Sequence, residues 1–230
     1  SIMPGNLPSI EGLDLAARYI PMKAVAGDFY GIELISNRQV GILIADVSGH
    51  GVGAALIASM IKAAFSSQLQ HILDPANVLS AMNRILHGKI GNNYATAACM
   101  FIDADKEIIH YAGAGHPPGF LWKKSEQKMY ELCENGLMLG PFRDASYSNI
   151  KMPFRTGDRI LLYTDGVIEA EKKSGDLYGY DSLKNFIKTH ENVSVQSFAD
   201  MLLRDLYEWT AKPNVDSLGD DLTMILVDKI

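Results

Sequence analysis

Four segments of the chain place an aspartate beside glycine at the edge of an apolar run. They are Ala26-Gly27-Asp28-Phe29-Tyr30, the stretch Gly41 to Gly53 reading GILIADVSGHGVG with Asp46 at its centre, Arg159 to Gly166 ending in Asp165, and Gly219-Asp220-Asp221 running into Leu222 to Val227. Unbroken apolar runs of this kind are the pattern of strands buried on both faces, so each carboxylate is expected at a strand end next to a turn. Carboxylates on a firm frame suit hard divalent ions such as Mg2+ and Mn2+, which take oxygen ligands and keep several waters. A pair of such ions sharing a carboxylate can bind a phosphate and deprotonate a water that attacks phosphorus in line with its leaving group. Without metal, clustered aspartates repel one another and their pKa values rise. Each acid taken alone also reads as a cap or turn residue, and spacing alone does not show that the acids converge.

Other chemistry-bearing residues have plainer readings beside the catalytic one. His50 follows Asp46 on a glycine-rich turn. His116 stands in the corner Ala112-Gly-Ala-Gly-His-Pro-Pro-Gly119, as a candidate catalytic imidazole or as a structural one fixed by its Gly/Pro surroundings. Asp103 and Asp105 flank Ala104 in a turn and read as turn formers. Cys99 and Cys133 lack metal-site spacing and read as buried thiols of a reducing compartment, which points to the cytoplasm.

The 230 residues, 47% hydrophobic, suffice for one well-cored domain. No apolar run approaches the roughly 18 residues of a membrane span, so the chain reads as soluble and without membrane contact. A formal charge of -6 with no basic patch argues against nucleic acid. An acidic chain that handles phosphate must recruit positive charge locally, and a metal ion is a direct source.

The elements that must position the acids follow from periodicity. Leu13 to Ile20 reads as a strand, and Gly31 to Ser36 with Gln39 to Ala45 as a hairpin turning at Asn37-Arg38. Val52 to His71 reads as a helix apolar on most of its girth, with one stripe of Val52, Ala55, Leu56, Met60 and Ala63 and another of Ile57, Ile61, Ala64 and Phe65, hence well buried. Asp74-Pro75 starts a second helix packed on the first. Strands are expected over 94–102, 107–112 and 120–123, then the strand ending at Asp165. A charged stretch from Glu169 to Tyr180 reads as a mobile loop or flap. Two amphipathic helices follow, then a loop through Pro213 to the last acid-led strand. Residues 1–11 read as a linker remnant and 12–230 as the domain, the output end of a longer protein. Strict β-α alternation and a Gly-rich phosphate loop are both lacking, so the fold class is α+β, an antiparallel sheet or sandwich covered by helices.

Five motifs in order, Ala-Gly-Asp28-Phe-Tyr, Asp46-Val-Ser-Gly-His-Gly, Ala-Gly-His116-Pro-Pro, Tyr-Thr-Asp165-Gly-Val-Ile-Glu-Ala and Asp220-Asp221-Leu-Thr, resemble those of bacterial metal-dependent protein phosphatases of the stage II sporulation protein E type. The resemblance runs from about Leu13 to Val227. It implies an α-β-β-α fold, an antiparallel β-sandwich flanked by helices. It also implies hydrolysis of phosphoserine or phosphothreonine with two Mn2+ or Mg2+ ions and no phosphoenzyme. Carried over by motif, Asp46 bridges both ions, the Val47 carbonyl ligates one, Asp165 and Asp220 hold the other, and Asp28 completes the shell of the first ion, directly or through water. Asp221 is a supporting partner. Related eukaryotic type 2C enzymes have a histidine two residues after the bridging acid, where this chain has Ser48, so His50 is the general-acid candidate. Their phosphate-holding arginine is matched here only by Lys23. The pattern Val-Gly-Gly-Asp-Phe-Tyr-Asp is departed from at Ala26 and Gly31.

The resemblance further implies a phosphorylated anti-sigma factor antagonist as substrate and an upstream sensor or receiver domain, and it leaves self-association into a homodimer open. Two other classes compete: a regulatory or binding module that keeps the fold with little activity, and a two-metal nuclease, which the lack of basic surface disfavours.

Overall fold

The computed structural model describes residues 3–22, 26–133, 136–211 and 219–230. In chain order the strands are β1 (Leu13–Ile20), β2 (Phe29–Ser36), β3 (Gln39–Val47), β4 (Ala95–Asp103), β5 (Ile108–Ala114), β6 (Gly119–Lys123), β7 (Lys128–Leu132), β8 (Ile150–Pro153), β9 (Arg159–Tyr163) and β10 (Leu222–Lys229). The helices are α1 (Val52–Ser67) and α2 (Pro75–Leu86) between β3 and β4, and α3 (Gly179–Thr189) and α4 (Val195–Thr210) between β9 and β10.

Two antiparallel sheets result, ordered β1-β10-β9-β6-β7 and β2-β3-β4-β5-β8. The apolar runs that carry the acids lie inside them: β3 pairs with β2 and β4, and β10 pairs with β1 and β9. Alternate residues of β3 therefore serve different cores. Val40, Ile42 and Ile44 face the opposite sheet, where Ile160, Leu162 and Ile225 meet them, while Leu43, Ala45 and Val47 face α1 and α2. A third core joins Leu161, Met224 and Leu226 to Leu183, Phe186, Phe198 and Leu202 of α3 and α4. The architecture is thus α-β-β-α, as expected. A one-residue slip in β3 or β10 would exchange their two apolar faces, and with them the side on which Asp46 emerges.

Asp74 caps α2 by accepting from the Asn77 amide at 3.2 Å, with Pro75 in the first turn. Ser194 caps α4 in the same way. Residues 3–11 lie against the sandwich, with Ile10 buried and Met3 and Leu7 packed on the inter-sheet core.

Three expectations are corrected. Helix α1 stops at Ser67, followed by a short 3-10 turn over Leu69–His71. The Ile57, Ile61, Ala64 and Phe65 stripe is buried together with Ala54 and Ala58, while the other stripe is not, because one sheet face covers one face of a helix; Val52 and Leu56 are 67% and 63% exposed. Cys133 is exposed at the end of β7, whereas Cys99 is buried in β4 as expected. Strands β7 and β8 were not anticipated. They are short edge strands, KMYEL and IKMP, that pair on one side only and so carry little apolar pattern.

The stretch 169–180 has an exposed tip and a pinned base. Ala170 and Tyr178 are buried, the Tyr178 hydroxyl donates to Asp205 at 2.6 Å, and the Lys172 ammonium lies 3.4 Å from the Trp209 ring centroid. Pro213 and Lys23 lie outside the described residues. No described helix is long and apolar enough to cross a membrane.

Candidate active site

The acids converge where the ends of β3, β9 and β10 meet. Asp46 is the penultimate residue of β3, opposite Thr96 of β4. Asp28 directly precedes β2, and Gly27 explains how it reaches β3. A Cβ at Gly27 would lie 2.8 Å from the Val47 carbonyl oxygen, so only glycine lets this loop lie on the end of β3. Gly166 does the same on the other sheet. A Cβ there would lie 2.1 Å from the carbonyl oxygen of Asp221, so the turn carrying Asp165 lies flush against the start of β10 beside Asp220.

Hydrogen bonds then fix the set. Asp28, 1% exposed, accepts on Oδ2 from the hydroxyls of Thr164 at 2.8 Å and Thr223 at 2.5 Å. Thr164 Oγ1 in turn accepts from the Thr223 amide at 2.9 Å, so the paired ends of β9 and β10 form the cradle. Asp221 spends both oxygens on the segment leading to Asp28: Oδ1 accepts from the Met22 amide at 2.7 Å and Oδ2 from the Gly27 amide at 2.9 Å. Asp221 is thereby a positioning residue. The two threonines were not singled out from sequence. The only signal was their adjacency to Asp165 and Asp221, since a hydroxyl's partner is a tertiary matter.

The electrostatics show how close the acids are. Burial, then the charge of Asp46, pushes Asp28 well above the ordinary carboxylate range, and the two threonine bonds only partly offset this. Burial and then Asp165, Asp220 and Asp221 push Asp46 up to about 7, with a hydrogen bond from Asp28 acting the other way. Asp165 is pushed up to about 6 by burial, Asp220 and Glu169. Asp46 thus feels acids from both sheets. None of the five acids forms an ion pair with a described lysine or arginine. A group of carboxylates that burial and mutual repulsion drive toward protonation, with no cationic partner, fits a site for hard divalent cations. Among the described residues no three His, Cys, Asp or Glu side chains form a group that by itself could hold a metal ion, so an ion at these acids would take much of its shell from water.

The imidazoles differ. His50 lies on the exposed turn before α1. His116 is buried, its Nδ1 2.9 Å from Thr96 Oγ1, and burial pushes it down to about 3, so it stays neutral. The Tyr163 carbonyl works in the opposite direction without completing a hydrogen bond to Nε2, which has no partner among the described residues. The ring packs the corner between the sheets, which is its structural reading. Asp103 accepts from the amides of Asp105 and Lys106 and is a turn former. Beside Asp165 opens a cleft of about 480 Å3 whose lining includes Thr96, Pro117, Pro118, Ile168, Glu169 and Tyr180.

Charged groups at the far end of the same strands serve stability. Lys123 donates to the Asp158 carboxylate at 2.6 Å and to the Pro153 carbonyl, both side chains being buried. Arg159 makes two bonds of 2.7 Å to Asp228.

Comparison with known proteins agrees with this geometry. Residues 36–229 match the model of the stage II sporulation protein E family. The chain is 32% identical over 228 residues to the phosphoserine phosphatase RsbU of Bacillus subtilis, covering 99% of this chain and 66% of that protein. It is 30% identical to the phosphoserine phosphatase RsbP of the same organism, covering 95% of this chain and 53% of the relative. The chain thus spans less than two thirds of either relative's length. The SiaA PP2C domain of Pseudomonas aeruginosa has the same fold, with a TM-score of 0.83 at 22% identity over 94% of this chain and 85% of that one. A protein phosphatase fold with its acids at the ends of β3, β9 and β10, and a family match over most of its length, place this chain in the stage II sporulation protein E family.

Proposed function

We propose that the acid cluster hydrolyses phosphoserine or phosphothreonine on a regulatory protein, with two Mn2+ or Mg2+ ions. The observation that carries this reading is the convergence of Asp28, Asp46, Asp165 and Asp220 from both sheets, none of them ion-paired to a described lysine or arginine. Asp46, flanked by acids from both sheets, would be the ligand shared between the ions, and Asp165, Asp220, Asp28 and the Val47 carbonyl would supply further oxygen ligands. When bound, the ions supply positive charge for the phosphoryl oxygens and make water acidic enough to serve as nucleophile at neutral pH.

The chain's own contribution is positional. Thr164 and Thr223 both donate to Oδ2 of Asp28 and so fix its carboxylate. Asp221 holds the loop that carries Asp28. Ser48 is not placed as a nucleophile: its hydroxyl accepts from the Tyr94 amide at 3.0 Å and points to Asn93. This supports direct hydrolysis with no phosphoenzyme. His50, exposed beside the cluster's turn, is the general-acid candidate.

The names of the two Bacillus relatives support phosphoserine as the target, and the resemblance of the motifs supports a phosphorylated anti-sigma factor antagonist as the substrate. The share of those relatives that this chain spans supports a longer parent protein, in which a sensor or receiver precedes the phosphatase domain at 12–230. The deciding experiment is phosphate release from a phosphoserine protein with Mn2+, with Mg2+ and with chelator. Activity is expected only with metal, and to fall about a hundredfold or more in Asp46→Asn and Asp165→Asn. Metal-independent turnover, or turnover surviving both substitutions, refutes the proposal.

A further inference from the structure

The cleft beside Asp165 is larger than phosphate chemistry needs. Its volume of about 480 Å3 lies within the range of about 300–1,000 Å3 typical of ligand sites. Both sheets line it. Thr96, the cross-strand partner of Asp46, comes from one, and Asp165, Ile168 and Glu169 follow β9 of the other. The cleft therefore gives a chain that presents a phosphorylated side chain to Asp165 a surface to lie along.

The lining has a definite chemistry. Pro117, Pro118, Ile168 and the ring of Tyr180 are apolar, and the prolines offer no N–H donor. Tyr180 is 41% exposed in the first turn of α3 and within electrostatic range of Glu169 and Asp165. The charged side chains of the described lining are two carboxylates, Asp165 and Glu169. Glu169 is exposed and stands one turn from Asp165, its amide donating to the Asp165 carbonyl at 2.8 Å. Such a surface disfavours an acidic segment and complements a basic one.

We propose that this cleft seats the segment flanking the phosphorylated residue of a protein substrate. Tyr180, Pro117 and Pro118 pack on its aliphatic parts, and Glu169 receives a lysine or arginine side chain. The proposal rests on the phosphatase reading and adds to it a sequence preference beside the phosphoserine.

The test uses phosphoserine peptides in an alanine-glycine host, with one lysine moved through the three positions on either side, against the lysine-free parent. KM is measured with Mn2+, and Kd by fluorescence anisotropy in chelator. One placement is expected to lower both by about two- to fivefold, the size of an exposed charge pair. Glu169→Gln should abolish that ratio. Tyr180→Ala should raise KM about tenfold for every peptide, with Tyr180→Phe restoring it. p-Nitrophenyl phosphate has no flanking chain, so its turnover by Tyr180→Ala should change far less than turnover of the peptides. Equal KM and Kd at every lysine position, or a lysine preference that survives Glu169→Gln, overturns the proposal. If the wild type hydrolyses neither the peptides nor p-nitrophenyl phosphate, the phosphatase reading falls. The lysine dependence of Kd in chelator, and its loss in Glu169→Gln, then still decides the cleft.

Discussion

Stripped of metal by chelator, the domain should lose stability as pH rises from 5 to 7. Asp46 is raised from 3.8 to about 7 and Asp165 from 3.8 to about 6. A carboxyl whose folded pKa lies above its unfolded one binds its proton more tightly in the folded state, so folding is favoured below the unfolded value and penalised as pH climbs through the folded one. Integrated between pH 5 and 7, Asp46 accounts for about 2 kcal/mol of lost stability and Asp165 for about 1 kcal/mol. The two are coupled, so a total of about 2–3 kcal/mol is expected rather than a strict sum. For a domain of this size that is a fall in Tm of roughly 5–10 °C. Urea and thermal unfolding at pH 5, 6, 7 and 8 measure it directly. Asp46→Asn, which removes the repelled charge, should flatten the slope and be more stable than wild type in chelator at pH 7. Saturating Mn2+ should reverse the slope, because ligands bind as carboxylates. A stability in chelator that is flat or rises from pH 5 to 7, or an Asp46→Asn protein less stable than wild type there, refutes the account of the site as repelling acids.

Gly166→Ala puts a methyl where the Asp221 carbonyl stands; a loss of about 2–3 kcal/mol in urea unfolding is expected, with weakened metal response in the folded protein, and wild-type stability would contradict the packing. Asp221→Ala strips the Met22 and Gly27 amides of their acceptor; activity should be recoverable at high Mn2+, with the metal concentration for half-maximal activity up by about 10–100-fold, and an unchanged metal titration would remove Asp221 from its positioning role. Lys123→Met leaves the Asp158 carboxylate buried and unpaired, costing about 3–5 kcal/mol, yet activity per folded molecule should hold because the pair sits at the opposite end of β6 and β9 from Asp165; calorimetry alongside an activity assay checks both.

The strand ends that carry Asp28, Asp46, Asp165 and Asp220 were legible because buried strands leave continuous apolar runs, and a carboxylate that interrupts such a run marks its edge. The start of α2 at Asp74-Pro75 was legible because capping is a local hydrogen bond. Strands β7 and β8 were not, since an edge strand needs apolar residues on little of its surface. The burial of α1 was overestimated because alanine, leucine and methionine favour a helix whether or not anything covers them, and the sheet covers one side only. Cys133 was misplaced for a related reason: a mixed neighbourhood in sequence does not report which side of an edge strand meets solvent.

Sequence alone determined the order of the helices and of the acid-bearing strands, and the α+β class, because periodicity and punctuation by glycine and proline are properties of neighbours along the chain. The tertiary structure decided what those acids do to one another. It showed that Thr164 and Thr223, 59 residues apart, close on one oxygen of Asp28. It committed both oxygens of Asp221 to the loop before β2, and it made Gly27 and Gly166 obligatory through carbonyls that approach from other strands. Charge repulsion, hydrogen bonding and steric exclusion act over a few ångströms in space, and only folding brings these segments within that distance.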